Sequence, residues 1–176
     1  MRHVADEQLG EAPVYSANAV HMMRTAQLAQ LQLSAMADTK ASILMGATFV
    51  TFSITIGRAQ GAATPLPLLI LGGAAFFSAI FAVLAVLPVT RKRKQKGETN
   101  LLFFGNFSRM DEDAFIEAIV GRLHSDDSVF RTMARDVHQA GSVLQNKKYR
   151  LLGYAYRIFL VGLVASCAAY VLLYLV

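Results

Sequence analysis

The sequence predicts an all-α integral membrane protein with three transmembrane helices, two of which extend into a cytoplasmic helical bundle. Three observations carry this. Of its 176 residues, 55% are hydrophobic and only 16% charged, with a mean hydropathy of +0.41, whereas a water-soluble domain has about a quarter of its residues charged. Three charge-free apolar stretches reach or exceed the roughly 17 residues that can cross a bilayer. Proline is missing from the two long segments that lead into the first and third of these stretches, residues 16–57 and 125–176.

The first stretch, ASILMGATFVTFSITIG at residues 41–57, lies at the short limit for a span, and the second, LPLLILGGAAFFSAIFAVLAVLPV at residues 66–89, is the strongest. The third, IFLVGLVASCAAYVLLYLV, covers residues 158–176. A buried core helix would account for one such stretch, but too little of the chain remains to cover three. The opening MRHVADEQLGEAP has no apolar core, so no cleaved signal peptide is expected. The one cysteine, Cys167, lies in the third stretch and excludes a disulfide within the chain.

The flanks predict the topology. Lys40 precedes the first span, Arg91, Lys92, Arg93, Lys94 and Lys96 follow the second, and Lys147, Lys148 and Arg150 precede the third. The loop between the first two spans carries only Arg58. By the positive-inside rule the N-terminus is cytoplasmic and the C-terminus outside. This divides the chain into a cytoplasmic N-terminal helix (1–40), transmembrane helices 1 and 2 (41–89), a cytoplasmic helical region (90–157) and transmembrane helix 3 (158–176). The formal charge of +5 then follows from topology and contact with anionic lipid. Nucleic acid is not an expected partner, because the basic run lies where the bilayer surface must be.

The helices have readable starts. Ser16 can cap a helix that continues through AVHMMRTAQLAQLQLSAMADTKA, rich in good helix formers, into the first span. Asp38 and Lys40 mark its crossing of the interface, where Lys40 can snorkel to the headgroups. Ser108 and Asp111 fit a capping box for a short helix over DEDAFIEAIVGRLH. In that helix Phe115, Ile119, Val120 and Leu123 would face the cytoplasmic extensions. SDDS at residues 125–128 supplies a cap and first-turn acids for a second long helix that runs into the third span.

No nucleotide-loop, dinucleotide, nucleophile-elbow or zinc-protease motif occurs, so no catalytic residue, metal site or cofactor is expected. The four histidines are scattered, and the acids of DEDAFIE read as helix-dipole complements before they read as metal ligands. In the spans, Thr48, Thr51 and Thr55 share one face. Bonding back to their own carbonyls is the plain reading, and a helix-contact or pore-facing stripe is the sharper one. Gly162 and Ser166 form a small-xxx-small pair suited to close helix contact, including self-association.

The segment TNLLFFGNFSRM, residues 99–110, is apolar and aromatic but too short to span. Packing of Leu101, Leu102, Phe103 and Phe104 explains it most simply, with Gly105 turning the chain. The Asn100, Gly105 and Asn106 frame also offers amides beside aromatic faces, which suits a nucleobase by stacking and edge hydrogen bonds.

ADTKAS before the first span, NLLFFGNF after a basic stretch, and NKKYRLLGYAYRIFLVGL leading into the last resemble the transmembrane effectors of bacterial Pycsar antiphage systems. The likeness runs from about Ala29 to the C-terminus and rests on the order and spacing of several motifs. It implies an effector that responds to a cyclic pyrimidine mononucleotide, cUMP or cCMP, made by a companion cyclase on infection. The response impairs the inner membrane and ends in abortive infection. Asp38 and Lys40 match the family's Asp-x-Lys-Ala pattern. Asn100, Phe103, Phe104 and Gly105 match its Asn-x-x-Phe-Phe-Gly pattern, and Lys148 and Tyr149 its Lys-Tyr pair before the final span.

For such a ligand, the cyclic phosphate requires a cation, for which Arg91, Lys147, Lys148 and Arg150 are candidates. Phe103, Phe104 or Tyr149 could stack the base. Continuous helices would transmit a cytoplasmic signal to the spans, driven by the ligand's preference for one of two arrangements. Three spans cannot enclose an aqueous path alone, so a homo-oligomer is expected in the bacterial inner membrane. The alternative is a structural or adaptor membrane protein that scaffolds a soluble partner without a nucleotide. A membrane-embedded enzyme is a distant third.

Overall fold

The computed structural model of the chain describes residues 15–59, 64–87 and 99–174, and among them every regular element is helical. In order these are α1 (Ala19–Arg58), α2 (Leu66–Val86), α3 (Phe104–Phe107), α4 (Glu112–Arg122) and α5 (Asp126–Val143). A π-helical turn (Leu144–Tyr149) then leads into α6 (Arg150–Tyr174). α1 is 40 residues long, about 60 Å at 1.5 Å per residue, roughly twice the hydrocarbon thickness of a bilayer. Three helices are long and apolar enough to cross a membrane: Ala19–Arg58, Leu66–Val86 and the continuous Asp126–Tyr174. The all-α fold expected from the sequence is thus observed, with three helices long and apolar enough to serve as its spans.

The chain packs into two compact units, Met1–Leu28 with Arg93–His138, and Ala29–Lys92 with Gln139–Val176. This division follows packing, whereas the boundaries at 40, 89 and 157 follow expected membrane position.

The second unit is a three-helix bundle built on small side chains. On α1, Ala37, Ala41, Leu44, Thr48 and Thr55 are buried and Thr51 half-buried. Alternating steps of four and three residues keep such a seam on one side of a helix. α2 contributes Gly72, Ala75, Ser78, Ala82 and Ala85, and α6 contributes Leu152, Ala155, Gly162 and Ser166. Ala41, Leu44, Ala82, Ala85, Leu152 and Ala155 form one contiguous core. Glycine is required twice here: a Cβ on Gly72 would overlap Thr55, and one on Gly162 would overlap Ala74.

Hydroxyls tie the helices together where no water competes. Ser78 Oγ donates to the Ala155 carbonyl at 2.8 Å, and Ser166 Oγ to the Pro67 carbonyl at 2.7 Å. Thr48, Thr51 and Thr55 donate to carbonyls three or four residues back on their own helix. The large apolar side chains lie on the outside, among them Phe49, Ile54, Phe77, Leu160, Val161 and Leu172. Between 11% and 28% of the most apolar stretch of each spanning helix is buried within the chain. A surface of this kind needs an apolar surrounding such as lipid.

Two expectations change here. Gly162 and Ser166 are spent on contacts with α2 inside one protomer, because the backbone approach they permit is used there. Thr48 and Thr55 are likewise buried within the chain, so they present no free face for self-association.

The first unit is organised by polar contacts and aromatic pairs. α1 starts beside Ser16, whose Oγ accepts from the Asn18 amide at 3.3 Å. The rings of Tyr15 and Phe130 lie 4.7 Å apart, and those of Phe107 and Phe115 5.3 Å apart. Asp111 alone caps α4, accepting from the Asp113 amide at 3.2 Å. Ser108 does not complete the expected capping box, because it closes the single turn of α3 as its C-cap. Ser125 Oγ caps α5 by accepting from the Ser128 amide at 3.3 Å. Of the apolar residues expected to face inward on α4, Phe115 and Ile119 are half-buried, while Val120 and Leu123 are exposed with Ile116. Those three share a neighbouring stripe at steps of four and three, turned away from the buried one.

Replacing Gly162 with leucine is expected to destabilise the bundle in the monomer itself, by about 1–3 kcal/mol or more for an overpacked contact. A thermal-unfolding midpoint in detergent well below wild type checks this, whereas an unchanged midpoint with altered oligomer size would place Gly162 on an outer face.

Candidate functional site

In the second unit the chain brings Asp38 and Lys148 together across 110 positions of sequence. Lys148 Nζ donates to both carboxylate oxygens of Asp38, at 2.8 and 2.7 Å, and to Ser34 Oγ at 2.8 Å. The pair is partly shielded, with the lysine side chain 20% and the aspartate 41% exposed. Ser34 lies seven residues before Ala41 in the seam register of α1, which explains why it reaches the same partner helix. Lys147 Nζ donates to the Leu87 carbonyl, which α2 leaves open where the helix ends.

The second unit also has an open concavity of about 370 Å³ lined by Lys40, Tyr149, Leu152, Gly153 and Tyr156. The Tyr156 hydroxyl donates to the Lys40 carbonyl at 3.2 Å, and the Lys40 ammonium makes no ion pair among the described residues. Arg150 is exposed at the start of α6. A cation beside two phenol rings suits an anion that carries a flat ring, and equally suits a headgroup, since tyrosine and lysine gather at membrane interfaces.

In the first unit, Asn100 is 2% exposed and acts as a lock. Its Nδ2 donates to Asp136 Oδ1 at 3.0 Å, and its Oδ1 accepts from the Leu102 amide at 2.9 Å. Asn106 Nδ2 donates to the Asn100 carbonyl at 3.1 Å, and Gln27 Nε2 to the second Asp136 oxygen at 3.0 Å. Both asparagine amides are therefore occupied in holding the loop, with Leu101 buried beneath it. What remains for a ligand is the pair of exposed rings, Phe103 and Phe104, with centroids 5.3 Å apart. Gly105 lies close beside them: a Cβ there would sit 2.6 Å from the Phe103 ring, which would have to turn aside.

Near the start of α5, Arg131 Nε donates to Asp127 Oδ2 at 2.6 Å and the Tyr15 hydroxyl to Asp127 Oδ1 at 2.6 Å. The Arg131 hydrogen bond, followed by that from Tyr15, holds the Asp127 carboxyl below the usual carboxylate range. The same contact with Asp127 pushes the Tyr15 hydroxyl up.

Of the residues expected from the sequence, Asp38 and Lys148 meet directly, and Lys40 and Tyr149 line one concavity. Asn100 and Phe103 lie in the loop before α3 and Phe104 and Gly105 in its first turn, while Arg91 lies outside the described residues. Four contributors were not foreseen: Gln27, Ser34, Asp136 and Tyr156. Gln27 and Ser34 had a readable signal, since they continue the seven-residue register of Ala41, Thr48 and Thr55. Asp136, in RTMARDVHQ, had none beyond being an acid that burial would oblige to find donors.

A family model described as PycTM, Pycsar effector protein domain, matches residues 21–175. The Pycsar effector protein PtPycTM of Propioniciclava tarda is 31% identical over 98 residues, a match that covers 54% of this chain and 46% of that protein. The chain thus spans about half the length of that curated relative. No solved structure matches.

Asn100→Ala is expected to remove the side-chain partner of an Asp136 oxygen and of the Leu102 amide, both part-buried, at about 0.5–1.5 kcal/mol for a typical hydrogen bond. Hydrogen exchange at the Leu102 amide should accelerate by roughly two- to ten-fold on that scale. Unchanged exchange would show that the loop holds without the asparagine.

Proposed function

Because the chain belongs to the Pycsar effector protein family, we propose that it is an antiphage effector that senses a cyclic pyrimidine mononucleotide, cUMP or cCMP, and impairs the inner membrane of the infected cell. The observation that carries this reading is the family match over residues 21–175. Three helices able to cross a membrane and a largely lipid-compatible surface support the membrane part. The nucleotide comes from a companion cyclase. The N-terminus and the 90–157 region face the cytoplasm, as the distribution of lysine and arginine favours. Three spans are too few to surround water, so the protein acts as a homo-oligomer in contact with lipid.

Within this reading the concavity beside α6 is the favoured receptor for the nucleotide. Its volume lies within the range of small-molecule sites, about 300–1,000 Å³. Lys40 supplies the cation for the cyclic phosphate, and Tyr149 or Tyr156 a face for the base, a contact that typically contributes about 1–3 kcal/mol. Phe103 and Phe104 offer a second stacking surface on the first unit.

Calorimetry of the full chain in nanodiscs, with cUMP, cCMP, cAMP and cGMP in turn, tests the proposal. A pyrimidine nucleotide should bind, and Lys40→Ala should weaken it about ten-fold or more, the scale of one charge-assisted hydrogen bond. Binding that is unchanged in Lys40→Ala but lost in Phe104→Ala would move the site to the first unit. Failure of all four nucleotides to bind would favour the scaffold alternative.

A further inference from the structure

The π-helical turn at Leu144–Tyr149 is not explained by the residues within it. Its sequence, LQNKKY, contains neither glycine nor proline, and leucine, glutamine and lysine are good α-helix formers. A π turn takes up one residue more than the α-helix around it and is rare, often occurring at functional sites. Partners of the turn elsewhere in the bundle therefore hold it open. Leu144 is buried, Lys147 Nζ donates to the Leu87 carbonyl, and Lys148 Nζ is held by Ser34 and both oxygens of Asp38. The side chains of Gln145 and Asn146 are exposed.

We propose that this turn is a register switch, locked by the Lys148–Asp38 pair, whose relaxation to α-helix advances α6 by one residue and opens its contact with α2. Closing the spare residue turns α6 by about 100° and shifts it about 1.5 Å along its axis. Each residue of α6 then takes the place its C-terminal neighbour holds. Val161 enters the place of Gly162, where even a Cβ overlaps Ala74. Ala165 replaces Ser166, and the hydrogen bond to the Pro67 carbonyl is lost. Tyr154 enters the place of Ala155, between Ala41, Ala82 and Ala85 in the core. The contact with α2 cannot survive all three changes, so the two helices part. The geometry of the switch does not depend on the ligand. Only the consequence, a bundle opened in the membrane, rests on the effector reading.

The test is a spin-label distance between the native, exposed Cys167 on α6 and Phe77→Cys on α2, in the full chain in lipid. Asp38→Asn should add a second, longer distance to the single one of the parent. Deleting Gln145 removes the spare residue, so the doubly altered chain (Asp38→Asn without Gln145) should return to the parent distance alone. A single parent distance in Asp38→Asn overturns the lock, and a second distance that persists after the deletion overturns the register mechanism. If the deletion alone fails to give a folded chain, judged by a thermal midpoint far below the parent, the turn does not hold one spare residue and the proposal falls. None of these outcomes involves nucleotide, so a failure here is separable from a failure of the proposed function.

Discussion

The bundle depends on the close approach of helix backbones that small residues permit. In lipid, apolar side chains gain little by leaving one apolar surrounding for another, so packing and hydrogen bonds must hold helices together. Gly72 against Thr55 and Gly162 against Ala74 provide the approach. Ser78 to Ala155 and Ser166 to Pro67 provide hydrogen bonds that no water contests. The same economy explains why bulky side chains such as Phe49, Phe77 and Leu172 face outward, the reverse of a protein folded in water.

Such a bundle is sensitive to register. A seam of alanine, glycine and serine has no flexible side chains to repack, so a one-residue slip replaces hydrogen with a branched side chain at Gly162. That sensitivity gives weight to the Lys148–Asp38 pair. It is partly shielded, doubly hydrogen-bonded and joined by Ser34, and it meets the chain where the only π turn among the described residues leads into α6.

Much of the fold was legible because a bilayer imposes lengths. The three spans, the uninterrupted α1 and the helical course into α6 follow from apolar runs and from where proline is absent. Facing was less legible. The threonine stripe at Thr48, Thr51 and Thr55 was readable as a stripe, but periodicity cannot say whether lipid, a pore or a neighbouring helix lies against it. The pairing of Gly162 with Ala74 inside the chain, rather than across two copies, had the same ambiguity. Asn100 was singled out by its motif, yet its amide is consumed by Asp136 and Leu102, which only the fold could show. The π turn was not legible in LQNKKY, which holds neither glycine nor proline.

The central claim is that a nucleotide signal is converted by this bundle into loss of membrane integrity. The most direct measurement is dye release from liposomes reconstituted with the purified full chain. The account predicts release on addition of a cyclic pyrimidine mononucleotide and none with cyclic purine nucleotides or with empty liposomes. Intact liposomes under every cyclic nucleotide, with protein shown to be inserted and folded, would contradict it.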